Sequence, residues 1–300
     1  MSEPTTLITR EQYTAAYDNA AAVPNAEHLL KGFLGRSRAI YAHHACKRNL
    51  RYGWRPRQVF DWFEANGPRR EGADAPVFVF LHGGYWQWRS KEDFACVATG
   101  ALAAGMHVVL GEYTLAPQAS MSQIVAEIGG LLDALQVHPT FGQKPGEAPR
   151  IVLAGHSAGG HLAAMHRHHP AVAGVLSISG LFDLGPIARG ALNDALHLTD
   201  VEVASCSPMQ RIRPGATTVV AVGGAELPEL QRQSAEYVAA LQAARESIRF
   251  AVLPGRNHFD ILSDLEQPDG ALLKVAIELG AHAGRGARDA WVRRQQYGLI

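Results

Sequence analysis

The sequence predicts an α/β protein: a mostly parallel central sheet with helices on both faces. Three observations carry the prediction. Seven short β-rich runs recur along the chain. Most are apolar throughout rather than alternating, as expected of strands covered on both faces. Stretches with helical spacing fill the gaps between them. A serine flanked by glycines then sits where one strand gives way to a helix.

The elements can be justified in chain order. Thr9 and Gln12 stand at capping-box spacing, which favours a helix starting there. A second helix is expected after Pro24 and Asn25, with Leu29, Leu30, Phe33 and Leu34 on one face. Residues 1–52 therefore read as a helical segment that caps the rest. "QVFDWFEA" (58–65) reads as the first strand, and a Gly/Pro/Arg turn separates it from "APVFVFLH" (75–82). The remaining strands are "HVVLGEY" from His107, "RIVLAGH" from Arg150, "VAGVLSIS" from Val172, "TTVVAVGG" from Thr217 and "IRFAVLPG" from Ile248. The clearest helix starts at Ser120, paired with Gln123 as a second capping box. Met121, Ile124, Val125, Ile128, Leu131, Leu132 and Leu135 form its apolar stripe. Residues 181–214 break the rhythm with glycines, prolines and short helical hints, and read as an insertion or lid. No internal repeat interrupts this order, so a single domain over 1–300 is expected.

Composition narrows the function classes. Hydrophobic residues make up 47% and charged residues 19%, which suits a large buried interior. Lysine plus arginine equals aspartate plus glutamate at 28 each, leaving no net field to draw nucleic acid or anionic lipid. No apolar run approaches the ~20 residues of a membrane-spanning helix. The N-terminal stretch lacks the pattern of a secretory signal. Cys46, Cys96 and Cys206 are odd in number and far apart, as expected for reduced thiols in a cytoplasmic protein. The sequence leaves open whether the chain forms a homodimer.

Gly155-His156-Ser157-Ala158-Gly159 fits G-x-S-x-G directly after an apolar strand. In that context Ser157 is expected on a sharp strand-to-helix turn, its hydroxyl raised above the sheet. A hydroxyl needs a base, and His258 follows the last predicted strand. The chain order Ser, acid, His places the acid after "TTVVAVGG", where Glu226 stands; Glu229 and Asp260 are competitors. The stretch "FLHGGYWQW" (80–88) supplies the rest. Its turn offers the N–H groups of Gly83, Gly84 and Tyr85, joined by that of Ala158, as an oxyanion hole. His82 is expected to brace that turn. Tyr85, Trp86 and Trp88 are expected to line a pocket for a flat, apolar group. "HRHHP" (166–170) lacks metal-ligand spacing, so neither a metal nor a cofactor is expected, and His161 has no assigned role.

"HGGYWQ" and "GHSAGGHL" together resemble the serine-hydrolase type of kynurenine formamidase (arylformamidase), within the α/β-hydrolase superfamily. "YDNAAAVPN", "EYTLAPQ", "SPMQ" and "AELPELQRQS" extend the resemblance over nearly the whole chain. Members of the family often carry aspartate where Glu226 stands, and "ELPEL" replaces a more usual Ser-Pro-Glu-Phe. The resemblance implies hydrolysis of N-formyl-L-kynurenine to kynurenine and formate through a formyl-serine intermediate, with a small molecule carrying an aromatic group as the substrate. A carboxylesterase for small acyl esters is the alternative from the same residues. A disarmed, ligand-binding hydrolase fold is a third reading, disfavoured by the complete triad.

Overall fold

The computed structural model describes residues 9–65, 75–138 and 149–281. The Gly/Pro/Arg turn expected after residue 65 lies outside them. The chain opens with helices α1 (Arg10–Ala15), α2 (Asn19–Ala22) and α3 (Ala26–His43), followed by strands β1 (Cys46–Arg51), β2 (Val59–Phe63) and β3 (Val77–Leu81). Next come α4 (Ala98–Ala103), β4 (His107–Gly111), α5 (Met121–Val137), β5 (Ile151–His156), α6 (Ala158–Met165) and β6 (Val172–Ile178). Three short helices, α7 (Gly185–Ala188), α8 (Asn193–Leu196) and α9 (Asp200–Cys206), lead to β7 (Thr217–Gly223), α10 (Pro228–Ala243), β8 (Ile248–Leu253) and α11 (Ala271–Ala281).

All seven predicted runs are strands of one sheet, ordered β1-β2-β4-β3-β5-β6-β7-β8. From β4 to β8 every pairing is parallel, while β1 and β2 join antiparallel. The expectation of a wholly helical segment to residue 52 is corrected here, because β1 is an eighth strand. Its sequence, CKRNLR, is mostly solvent-facing and carries charges of the kind that protect a sheet edge. It has no apolar alternation from which a strand could be read.

The parallel strands are continuous in apolar residues because alternate side chains enter opposite cores. Val77, Val79, Leu81, Ile151 and Leu153 join the cluster that includes α5 and α6. Phe78, Phe80, Val152 and Ala154 join the cluster that includes α4 and α11. Both predicted capping boxes form, at Thr9 and Ser120. The three cysteines are free thiols. The histidines of "HRHHP" do not converge: His166 bonds the Leu162 carbonyl, His168 meets Arg213, and His169 meets Asp133. Register brings the two motifs together, since Leu81 lies opposite Gly155. The HGGY turn and the serine junction therefore leave the sheet side by side.

Candidate active site

Ser157 links β5 to α6 with φ 55° and ψ −117°, a left-handed backbone that a serine adopts only under constraint. The constraint is close packing. A Cβ on Gly159 would lie 2.0 Å from the Leu81 carbonyl oxygen, and one on Gly155 would lie 2.1 Å from that of Gly159. The glycines of G-x-S-x-G are thus required by the passage of helix against strand. The Ser157 N–H donates to the Ile178 carbonyl at 2.8 Å, which anchors the turn to β6. Among the described residues its hydroxyl has no hydrogen-bond partner, and the residue lines a cavity of about 560 Å³.

His258 lines the same cavity. Its Nδ1 donates to Glu226 Oε2 at 2.7 Å, so Nε2 is left as the basic nitrogen. Glu226 is buried, and its second oxygen accepts from the Ser179 hydroxyl and the Gly223 N–H, each at 2.6 Å. These donors hold the carboxylate in place. The competing acids are engaged elsewhere: Glu229 pairs with Arg232, and Asp260 accepts from Asn257. Ser179 was not anticipated from the sequence. It follows β6, and only the pairing of β6 with β7 brings it to Glu226. His156 is a second unforeseen support. Its Nε2 donates to the His258 carbonyl at 2.8 Å and the two rings lie 4.6 Å apart. Burial pushes its pKa well below the ordinary histidine value, so it stays neutral.

The HGGY turn is held in an unusual backbone. Gly84 has φ +111°, and Tyr85 and Trp86 have φ 48° and 58°. At Gly84 a side chain would also meet the Trp88 carbonyl at 2.2 Å. Among the described residues, no backbone hydrogen bond is donated by the N–H groups of Gly83, Gly84, Tyr85 or Ala158. Gly83, Gly84 and Tyr85 line the cavity beside Ser157. Uncommitted donors next to a hydroxyl are what an oxyanion would need.

The three aromatics separate. Tyr85 and Trp88 line the cavity, and Trp88 is half-exposed. Trp86 does not line it, which corrects the expectation of a third pocket ring. Its left-handed backbone turns the indole inward, where it is fully buried and packs edge-on to His161 at 4.9 Å. His161 Nε2 donates to the Cys206 carbonyl at 2.7 Å, and burial lowers its pKa to about 4. It belongs to the core rather than to the chemistry. The Tyr85 hydroxyl donates to the Tyr17 carbonyl at 2.6 Å and accepts from Asn19 at 2.7 Å. The cavity is also lined by Tyr17, Asp18 and Asn19 from the N-terminal segment and by Ala191, Leu192 and Asp194 from the 181–214 segment. Gln87 ties the turn to that second segment through the Leu192 carbonyl, at 2.9 Å.

Comparison with known proteins agrees with this geometry. A family model described as an alpha/beta hydrolase fold matches residues 78–200. The kynurenine formamidase of Salmo salar is 30% identical over 228 residues, which cover 71% of this chain and 75% of that protein. The kynurenine formamidase of Danio rerio is 29% identical over 226 residues, with the same coverage of 71% and 75%. Among solved structures, a candidate thioesterase from Silicibacter sp. superposes with a TM-score of 0.76 at 29% identity, covering 88% of this chain and 98% of that one. The strand-to-helix serine, the acid-paired histidine and the extent of these likenesses lead to one assignment: the chain is a hydrolase that belongs to the kynurenine formamidase family of the α/β-hydrolase fold.

Proposed function

We propose that the chain hydrolyses an aryl formamide, N-formyl-L-kynurenine, to kynurenine and formate, with Ser157 as nucleophile, His258 as base and Glu226 as the acid that orients it. The observation that carries the reading is the meeting of Ser157 and a Glu226-bound His258 on the wall of one cavity. His258 Nε2 takes the hydroxyl proton as Ser157 Oγ attacks the formyl carbon. The oxygen that becomes negative is received by the N–H groups of Gly83, Gly84, Tyr85 and Ala158. Glu226 stabilises the imidazolium without taking its proton. That proton passes to the aryl nitrogen as the C–N bond breaks, and kynurenine leaves. Water, deprotonated by His258, then attacks the formyl ester, and formate departs. The unpartnered hydroxyl of Ser157 is compatible with this role, because catalytic hydrogen bonds often tighten only when substrate binds.

The cavity supports the substrate class. A formyl group needs almost no acyl pocket, whereas its aromatic leaving group needs a large one. A volume of about 560 Å³ walled by Tyr85, Trp88, Phe33 and Phe259 suits the latter. The N-terminal segment and residues 181–214 then act as the cap that selects this leaving group. A parallel assay of N-formylkynurenine and p-nitrophenyl acetate tests the reading. The formamide should give a kcat/KM at least ~100-fold higher. Preference for the ester would replace the reading with a carboxylesterase.

A further inference from the structure

The cavity beside Ser157 has two kinds of wall. Phe33, Phe94 and Leu262 line it from the core and are buried. Asp18, Trp88 and Arg89 line it too but are exposed, so they stand where it opens to solvent.

Arg89 is the one arginine or lysine among the described residues that line the cavity. Its backbone is left-handed, with φ 79°, a conformation that arginine keeps only when its surroundings hold it. Arg57 does so, since its Nη2 donates to the Arg89 carbonyl at 2.7 Å. Glu112 and the Tyr113 carbonyl fix Arg57 in turn, at 2.8 and 2.9 Å. The stem of Arg89 then packs on the oxyanion turn, where a Cβ on Gly84 would stand 3.0 Å from its Cγ. Among the described residues, the guanidinium at the end of this stem has no hydrogen-bond or ion-pair partner. Its planar fork of N–H donors matches a carboxylate.

Asp18 is the counterpart. One oxygen caps α2, accepting from the Ala21 N–H at 2.9 Å, and the other has no partner among the described residues. The carbonyl of Tyr17, just before it, receives the Tyr85 hydroxyl, so Asp18 is tied to the turn on which Arg89 lies. Asp194, the other lining carboxylate, is already paired with Arg10. The mouth therefore presents one uncommitted cation and one uncommitted carboxylate oxygen. A ligand that carries both charges satisfies both at once.

We propose that Arg89 and Asp18 form a charged subsite at the cavity mouth, which selects an aryl formamide bearing an α-amino acid group. Arg89 pairs with the carboxylate of that group and Asp18 with its ammonium. The proposal rests on the aryl formamide reading above and names what distinguishes an amino-acid formamide from a plain one. The ring lies along the apolar wall, the formyl carbon meets Ser157, and the charged tail stays at the mouth. Neither residue touches the reacting atoms, so the effects fall on KM. Both side chains face water, which screens each contact and keeps its effect modest.

The test compares three formamides: N-formylkynurenine, 4-(2-formamidophenyl)-4-oxobutanoate, which lacks the ammonium, and 2-formamidoacetophenone, which lacks both charges. In the native chain at low salt, kcat/KM should fall along this series by about fivefold at each step, and added salt should compress both steps. In Arg89→Met the step between the second and third compounds should shrink to within about twofold through a change in KM, and Arg89→Lys should keep part of it. In Asp18→Asn, which can still cap α2, the step between the first and second should shrink instead. A step that survives at native size in its own folded variant would overturn the role of that residue. Should a variant fail to fold, the native series and its salt dependence still decide. Equal kcat/KM for all three compounds in the native chain would overturn this inference and leave the formamidase reading standing. Hydrolysis of none of them would overturn the formamidase reading, and this inference with it.

Discussion

The rim of the central strands and the cap above it are built on different terms. At the rim, Ser157, Glu226 and His258 follow β5, β7 and β8, and glycines without room for a Cβ (Gly155, Gly159 and Gly223) pack the turns after β5 and β7. The cap is made mostly of short helices, held to the rim by side chains of the turn that bond its carbonyls, Tyr85 to Tyr17 and Gln87 to Leu192. Rigid sheet ends suit atoms that must be held to fractions of an ångström. Short helices on few contacts suit a surface that changes with the leaving group. The difference teaches where chemistry and selectivity should separate under mutation.

The sharpest separation should come at the rim. Ser157→Ala should reduce turnover by roughly three orders of magnitude or more, with the melting temperature little changed. Turnover within tenfold of native would move the nucleophile elsewhere. Ser179→Ala comes next, since it removes one donor from a buried carboxylate that keeps its other partners. It should lower kcat roughly tenfold with KM nearly constant. A change in KM alone would mean that Ser179 shapes the pocket instead. In the cap the signature should reverse. Trp88→Ala, at a half-exposed ring, should raise KM for the aryl formamide several-fold and leave kcat and stability close to native.

The smallest effect concerns stability rather than turnover. Burial lowers the pKa of His161 and of His166 to about 4. Protonation therefore favours the unfolded chain, in which histidine takes its ordinary value near ~6.5. Their contribution is complete above that value and is lost as pH falls from about 6.5 towards 4. Glu112, held at about 2, adds a loss that begins lower, as pH falls below the ordinary carboxylate range. Denaturant midpoints measured across this range should fall in two overlapping stages. A midpoint constant from pH 7 to 4 would show that the two imidazoles are not buried as neutral groups.

The same division explains what could be read from the chain. The strands of the rim are local apolar runs, and the serine turn advertises itself through glycines within two residues, so the fold and the turn at Ser157 were legible. Glu226 and His258 followed from their order after particular strands. Ser179 carried no such mark; its partner lies 47 residues away, across a strand pairing. The position of a polar residue at the end of the strand beside β7 was the available signal. Trp86 was misplaced because nothing local announces three successive left-handed residues, Gly84 to Trp86, that send its ring into the core. β1 escaped notice because an edge strand needs no apolar pattern. The cap wall was least legible, as it depends on contacts such as that between Gln87 and Leu192, 105 residues apart.

The central claim is that Ser157, His258 and Glu226 act as one unit. A serine-directed fluorophosphonate, followed by mass spectrometry of the digested protein, tests it directly. One equivalent of label on Ser157 in the native chain, strongly slowed in His258→Ala and intermediate in Glu226→Ala, is the predicted result. Label on a different residue, or an undiminished labelling rate in folded His258→Ala, would contradict it.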